Sequence, residues 1–135
     1  MTTSIDSIRI LLVEDEYFIR LAAAEMLHDE GFEVVEARDG TEAVGLLDGP
    51  DGFDLLLTDV QMPGPIDGIQ VATHARRRHP GIPVVVVSSL PLHAVRLDRL
   101  EPRKTFVGKP YRSQALVTTL RHMLEAEGSP PFSDR

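Results

Sequence analysis

Short, uninterrupted apolar runs alternate along this chain with longer stretches whose apolar residues recur every three or four positions, and that alternation leaves few folds open. Ile8–Val13, Glu33–Ala37, Phe53–Asp59, Ile82–Val87 and Thr105–Gly108 are short and rich in β-branched and aliphatic residues, as strands are. Between them, Tyr17–Glu30 carries Phe18, Leu21, Ala22, Met26 and Leu27 at helical spacing. Gly31 follows where a left-handed residue commonly closes a helix. Asp39-Gly40-Thr41-Glu42 has the form of a capping box and opens a helix through Ala43, Val44, Leu46 and Leu47. Asp67–His79 reads as a helix stopped by Pro80, and Ser113 starts a last one bearing Leu116, Val117, Leu120, Met123 and Leu124. Leu90–Leu100 is only loosely periodic and is bracketed by Pro91 and Pro102, so the helix here is expected to be short, irregular or mobile.

Strands that alternate with helices form right-handed βαβ units, which build a mostly parallel sheet covered by helices on both faces. The 135 residues suit one such domain, expected over 1–128, with a flexible tail over 129–135 after the Gly128-Ser129-Pro130-Pro131 stretch. Cysteine is absent, which excludes a disulfide scaffold, a thiolate zinc site and a cysteine nucleophile. A formal net charge of −7 gives no electrostatic support for direct DNA binding. The apolar runs fall far short of the roughly 20 residues that span a bilayer, and Met1–Ser7 lacks the pattern of a secretory signal. A cytoplasmic location is therefore expected.

In parallel sheets, chemistry gathers at the carboxyl ends of the strands. Here those ends carry Glu14-Asp15, Asp59, Ser88-Ser89 and Lys109-Pro110. One acid at a strand end is usually a loop residue or a helix cap. Complementary groups at four ends are a different matter. Three crowded acids repel one another unless a cation lies between them, and oxygen-only ligands favour a hard ion such as Mg²⁺. A carboxylate can also act as a nucleophile towards phosphorus, with a cation and a lysine neutralising the phosphoryl oxygens.

These residues resemble the receiver domain of two-component response regulators over about Ile8–Ala126. The resemblance rests on Glu14-Asp15 after Leu11-Leu12-Val13, Asp59 within Leu55–Gly64, Asp67-Gly68, Ser88 after the valine run, and Lys109-Pro110. It implies a doubly wound, flavodoxin-like α/β fold with five parallel strands in the order 2-1-3-4-5, flanked by five helices. It implies that Asp59 is the phosphoacceptor for a sensor histidine kinase or a histidine phosphotransfer protein. Glu14, Asp15, Asp59 and the backbone carbonyl of Gln61 would hold Mg²⁺, and Lys109 would pair with Asp59 and then with the phosphoryl group. Ser88 would turn its hydroxyl towards that group, and Phe106 matches the aromatic whose rotamer changes with it. A lone aromatic in a strand is also an ordinary core residue.

The expected role is a regulatory phosphoacceptor switch, not an enzyme, signalling to a downstream protein through the surface of the fourth helix, fifth strand and last helix. No output domain follows in this chain, which suits a stand-alone switch or a relay intermediate, and a second copy of the chain is a further candidate partner. A phosphorylation-independent interaction module is the alternative, and the complete acid, serine and lysine set speaks against it. A flavin protein or nucleotide hydrolase is disfavoured because neither G-x-G-x-x-G nor G-x-x-x-x-G-K-[ST] is present. Two features depart from the family pattern. Met62-Pro63-Gly64-Pro65-Ile66-Asp67-Gly68 carries one extra residue, so its loop should take a different path, and Pro102-Arg103-Lys104 replaces the usual small pair. The five histidines have no metal-ligand spacing, and Arg76-Arg77-Arg78-His79 suits a helix C-terminus.

Overall fold

The computed structural model describes residues 7–91, 100 and 103–128. In chain order the elements are β1 (Arg9–Val13), α1 (Tyr17–Asp29), β2 (Glu33–Ala37), α2 (Gly40–Asp48), β3 (Leu55–Asp59), α3 (Gly68–Arg78), β4 (Val84–Ser88), β5 (Lys104–Gly108) and α4 (Ser113–Gly128). All strand pairs are parallel, in the order β2-β1-β3-β4-β5, so the chain is doubly wound as expected. Four of the five expected helices lie among the described residues. The segment expected to hold the other lies largely outside them, as does the tail 129–135.

Strand periodicity divides the core into two layers. Leu11, Val13, Leu56, Val84 and Val86 face α2 and α3, meeting Ala43, Leu47, Val71, Ala72 and Ala75. Their alternating neighbours Ile10, Leu12, Leu55, Leu57, Val85 and Val87 face α1 and α4, meeting Ala23, Ala24, Leu27, Leu116 and Leu120. Every residue of β3 and β4 is buried, because central parallel strands are covered on both faces. Each fully buried Val or Leu contributes roughly 1.5–3 kcal/mol of transfer free energy.

The helix boundaries follow local chemistry. Asp39 caps α2 by accepting the Glu42 N–H at 2.8 Å, while Glu42 Oε1 accepts the Arg38 N–H. Asp67 and Gln70 close a reciprocal capping box on α3. Gly31 is left-handed, with φ of 98°, and ends α1.

Three details differ from the sequence reading. Phe18, assigned there to the apolar face of α1, is 78% exposed, and the face that packs inward is Ala23, Ala24 and Leu27. Ala22 is exposed as well. Phe53 is buried but precedes β3, because Asp54 is tied to β1 through the Arg9 N–H and Arg9 carbonyl. β4 begins at Val84, two residues after Ile82.

Candidate metal and phosphoryl site

Four adjacent strands deliver the site. β1 ends immediately before Glu14-Asp15, β3 ends in Asp59, β4 ends in Ser88, and β5 runs into Lys109. Backbone bonds keep these ends level. Val60 N–H donates to the Val87 carbonyl, Lys109 N–H to the Ser88 carbonyl, and Glu14 N–H to the Ala37 carbonyl. Residues far apart in sequence are thus fixed on one sheet edge before any side chain is considered.

One carboxylate oxygen from each of Glu14, Asp15 and Asp59 lies within 4.8 Å of the others. At that separation, and at an effective dielectric of about 20, each like-charged pair repels by roughly 3.5 kcal/mol. Lys109 Nζ answers part of this, at 2.9 Å from Asp59 Oδ2 and 3.5 Å from Glu14 Oε1. Three carboxylates against one ammonium leave two negative charges over. The donor set, all carboxylate oxygen and partly shielded from water, fits a hard divalent ion such as Mg²⁺.

Titration behaviour reflects the same crowding. Burial pushes the Glu14 carboxyl above its ordinary pKa, and the charges of Asp59 and Asp15 push the same way. The Glu16 N–H, which donates to Glu14 Oε2 at 3.0 Å, and the Lys109 ammonium oppose that rise without cancelling it. For Lys109, burial works to lower the pKa. The hydrogen bond and charge of Asp59, with the charge of Glu14, outweigh burial and hold the ammonium above its usual value.

The Asp59 backbone is held as firmly as its side chain. Its carbonyl accepts the Thr58 hydroxyl at 2.9 Å, and Gly68 at the start of α3 lies directly against it. A Cβ on Gly68 would sit 1.8 Å from that carbonyl oxygen. Gly40, at the start of α2, gives Ile66 similar room, so the loop carrying the extra residue is closely packed where it enters α3.

Ser88 is buried, and its Oγ accepts the Leu90 N–H at 2.9 Å. Phe106 is partly buried against the layer beneath α2 and α3, opposite Val86 in the ladder. Gln61 is exposed two residues beyond Asp59. Glu14, Asp15, Asp59 and Lys109 therefore meet at one point, with Ser88 beside them on the neighbouring strand.

Two further neighbours, Tyr111 and Arg20, line the site without belonging to any of its sequence motifs. Tyr111 shares a small pocket with Glu14, Thr58 and Asp59, and burial raises its pKa. Arg20 bonds the Glu14 carbonyl. A basic residue inside an otherwise apolar helix face was the available signal for Arg20.

The family model for the response regulator receiver domain matches residues 10–121. The chain belongs to that family. It is 33% identical over 123 residues to sensor kinase CckA of Brucella abortus, covering 90% of this chain and 13% of that protein. It is 36% identical over 117 residues to transcriptional regulatory protein CpxR of Escherichia coli, covering 86% of this chain and 49% of the relative. The receiver chain thus spans about half or less of the curated relatives named here.

Among solved structures, a response regulator receiver protein from Sinorhizobium medicae superposes with a TM-score of 0.84 at 31% identity, covering 92% of this chain and 99% of its own. The receiver domain of the hybrid histidine kinase CckA gives 0.73 at 38% identity, covering 86% and 98%. Receiver domains of this family are regulatory modules of bacterial two-component systems. No helix among the described residues is long and apolar enough to cross a membrane.

Proposed function

We propose that this receiver domain is a Mg²⁺-dependent phosphoryl switch in which Asp59 is the phosphoacceptor. The observation that carries the reading is the Lys109 ammonium, 2.9 Å from an Asp59 carboxylate that shares its surroundings with Glu14 and Asp15. Asp59 Oδ2 accepts from the Lys109 ammonium. The carboxylate attacks the phosphorus of a phosphohistidine. The O–P bond forms as the N–P bond breaks, and the electron pair stays on the imidazole nitrogen, which takes a proton from solvent.

Lys109 then meets the negative charge that arrives on the phosphoryl oxygens, and Ser88 supplies a hydroxyl to the same group. Glu14, Asp15, Asp59 and the Gln61 carbonyl would hold Mg²⁺, which would supply the remaining charge neutralisation. The donor is a sensor histidine kinase or a histidine phosphotransfer protein. The altered surface, with Phe106 adjusting behind Lys109, addresses a downstream protein in the cytoplasm.

The test is incubation with acetyl phosphate and Mg²⁺, followed by mass spectrometry. One adduct, stable to acid and labile to alkali, is expected on the wild-type protein and not on Asp59→Asn. An adduct that persists in that variant places the acceptor elsewhere. A wild-type protein that takes up no phosphate favours the interaction-module alternative instead.

A further inference from the structure

Glu14 is held by more than its side chain. Its N–H donates to the Ala37 carbonyl at 3.1 Å, and its Oε2 accepts the Glu16 N–H. Its carbonyl accepts Arg20 Nη1 at 3.0 Å. The same guanidinium donates from Nε to Glu36 Oε1 at 3.1 Å and stacks over the Tyr17 ring, 5.6 Å from its centroid. The Arg20 side chain is only 14% exposed, so this fork is largely shielded from water. It joins three elements, since Glu14 follows β1, Arg20 lies in α1, and Glu36 lies in β2.

The Glu14 carbonyl belongs to the peptide that leads into Asp15. Fixing that peptide fixes where the second acid of the pair starts. We infer that Arg20 is a positioning residue for the cation site: bridging the Glu14 carbonyl and Glu36, it holds the Glu14-Asp15 peptide so that both carboxylates face Asp59. This inference rests on the Mg²⁺ reading given above.

Its sign distinguishes it from plain electrostatics. A guanidinium bonded to the Glu14 carbonyl repels a dication arriving at the Glu14-Asp15 pair, so charge alone predicts that removing Arg20 tightens Mg²⁺ binding. Positioning predicts the reverse, because a peptide freed to rotate spreads the two acids over geometries that the ion does not accept. Lysine separates the contributions, since it keeps the charge and loses the two-pronged planar fork.

The experiment is a calorimetric Mg²⁺ titration of the full chain as wild type, Arg20→Gln and Arg20→Lys, with thermal melts in EDTA alongside. Loss of one charge-assisted hydrogen bond at the site corresponds to roughly a tenfold to hundredfold rise in Kd, expected in both variants. A merely structural role lowers the melting temperature and leaves Kd where it was. A Kd equal to or below the wild-type value in either variant overturns the positioning role. Should Arg20→Gln fail to fold, Arg20→Lys carries the test alone. If the wild-type protein binds no Mg²⁺, the cation reading itself falls, and this inference with it.

Discussion

Gly68→Ala adds a single methyl group, and the structure says where that group must go. Its Cβ would lie 1.8 Å from the Asp59 carbonyl oxygen, 2.7 Å from the Asp59 carbonyl carbon and 2.9 Å from the Val60 Cα. These are backbone atoms at and just beyond the end of a strand buried along its whole length, so no side chain can swing aside. Relief requires a shift of more than about 1 Å between α3 and the end of β3. Overpacking of this kind typically costs about 1–3 kcal/mol, and backbone against backbone belongs at the upper end. For a chain of this size, about 3 kcal/mol lowers the melting temperature by roughly 10 °C.

The shifted atom belongs to the proposed phosphoacceptor, so chemistry suffers separately from stability. A misplacement of about 1 Å can slow a positioned reaction by roughly 100-fold. Gly45→Ala is the matched control. Gly45 lies in α2, and nothing stands within 4 Å of its Cβ position. Alanine there should stabilise by up to about 1 kcal/mol through helix propensity, with phosphorylation unchanged. Melting followed by circular dichroism and phosphorylation by acetyl phosphate read both effects. Gly68→Ala melting and reacting like the wild type would refute the close-packing argument.

Two further outcomes concern charge. Burial raises the Glu14 pKa, so this group contributes stability that is fully present below its unfolded pKa and lost as pH rises through the folded value. Glu14→Gln should therefore melt above the wild type at neutral pH in EDTA, the difference closing towards acid pH, while Mg²⁺ affinity falls. A variant that melts lower at neutral pH contradicts the upward shift of Glu14. Lys109→Ala removes the ammonium nearest Asp59, so Mg²⁺ binding should be kept or strengthened while the response to phosphorylation is lost. Amide chemical shifts before and after phosphorylation report that response, and equal loss of both properties contradicts the role given to Lys109.

How far the sequence could be read follows from what each signal depends on. The strands and their covering by helices on both faces were legible because continuous apolar runs such as Val84–Val87 have no alternative to burial on both faces, whereas the strand order came from the family resemblance. The acidic and basic strand ends were legible because topology alone gathers them. Phe18 misled because an aromatic at helical spacing outweighs alanine on any hydrophobicity count. The inward face of α1 is instead built from Ala23, Ala24 and Leu27, small enough to let the helix approach the sheet. Gly68 was visible as part of a motif, but the collision that requires glycine depends on a carbonyl nine residues away. Arg20 stood out only as a base on an apolar helix face, and its partners, a backbone oxygen and a glutamate of β2, could not be read from that.

The Ser88 hydroxyl already serves the amide of Leu90. Turning towards a phosphoryl group takes the acceptor away from that amide, at about 1 kcal/mol if nothing replaces it. On the proposed function, a rotation of Ser88 that carries its hydroxyl from Leu90 to the phosphoryl group would couple Asp59 to the residues just beyond β4 through one oxygen. Such a junction would need no long relay of moving parts, because the amide released at Leu90 would itself be the message.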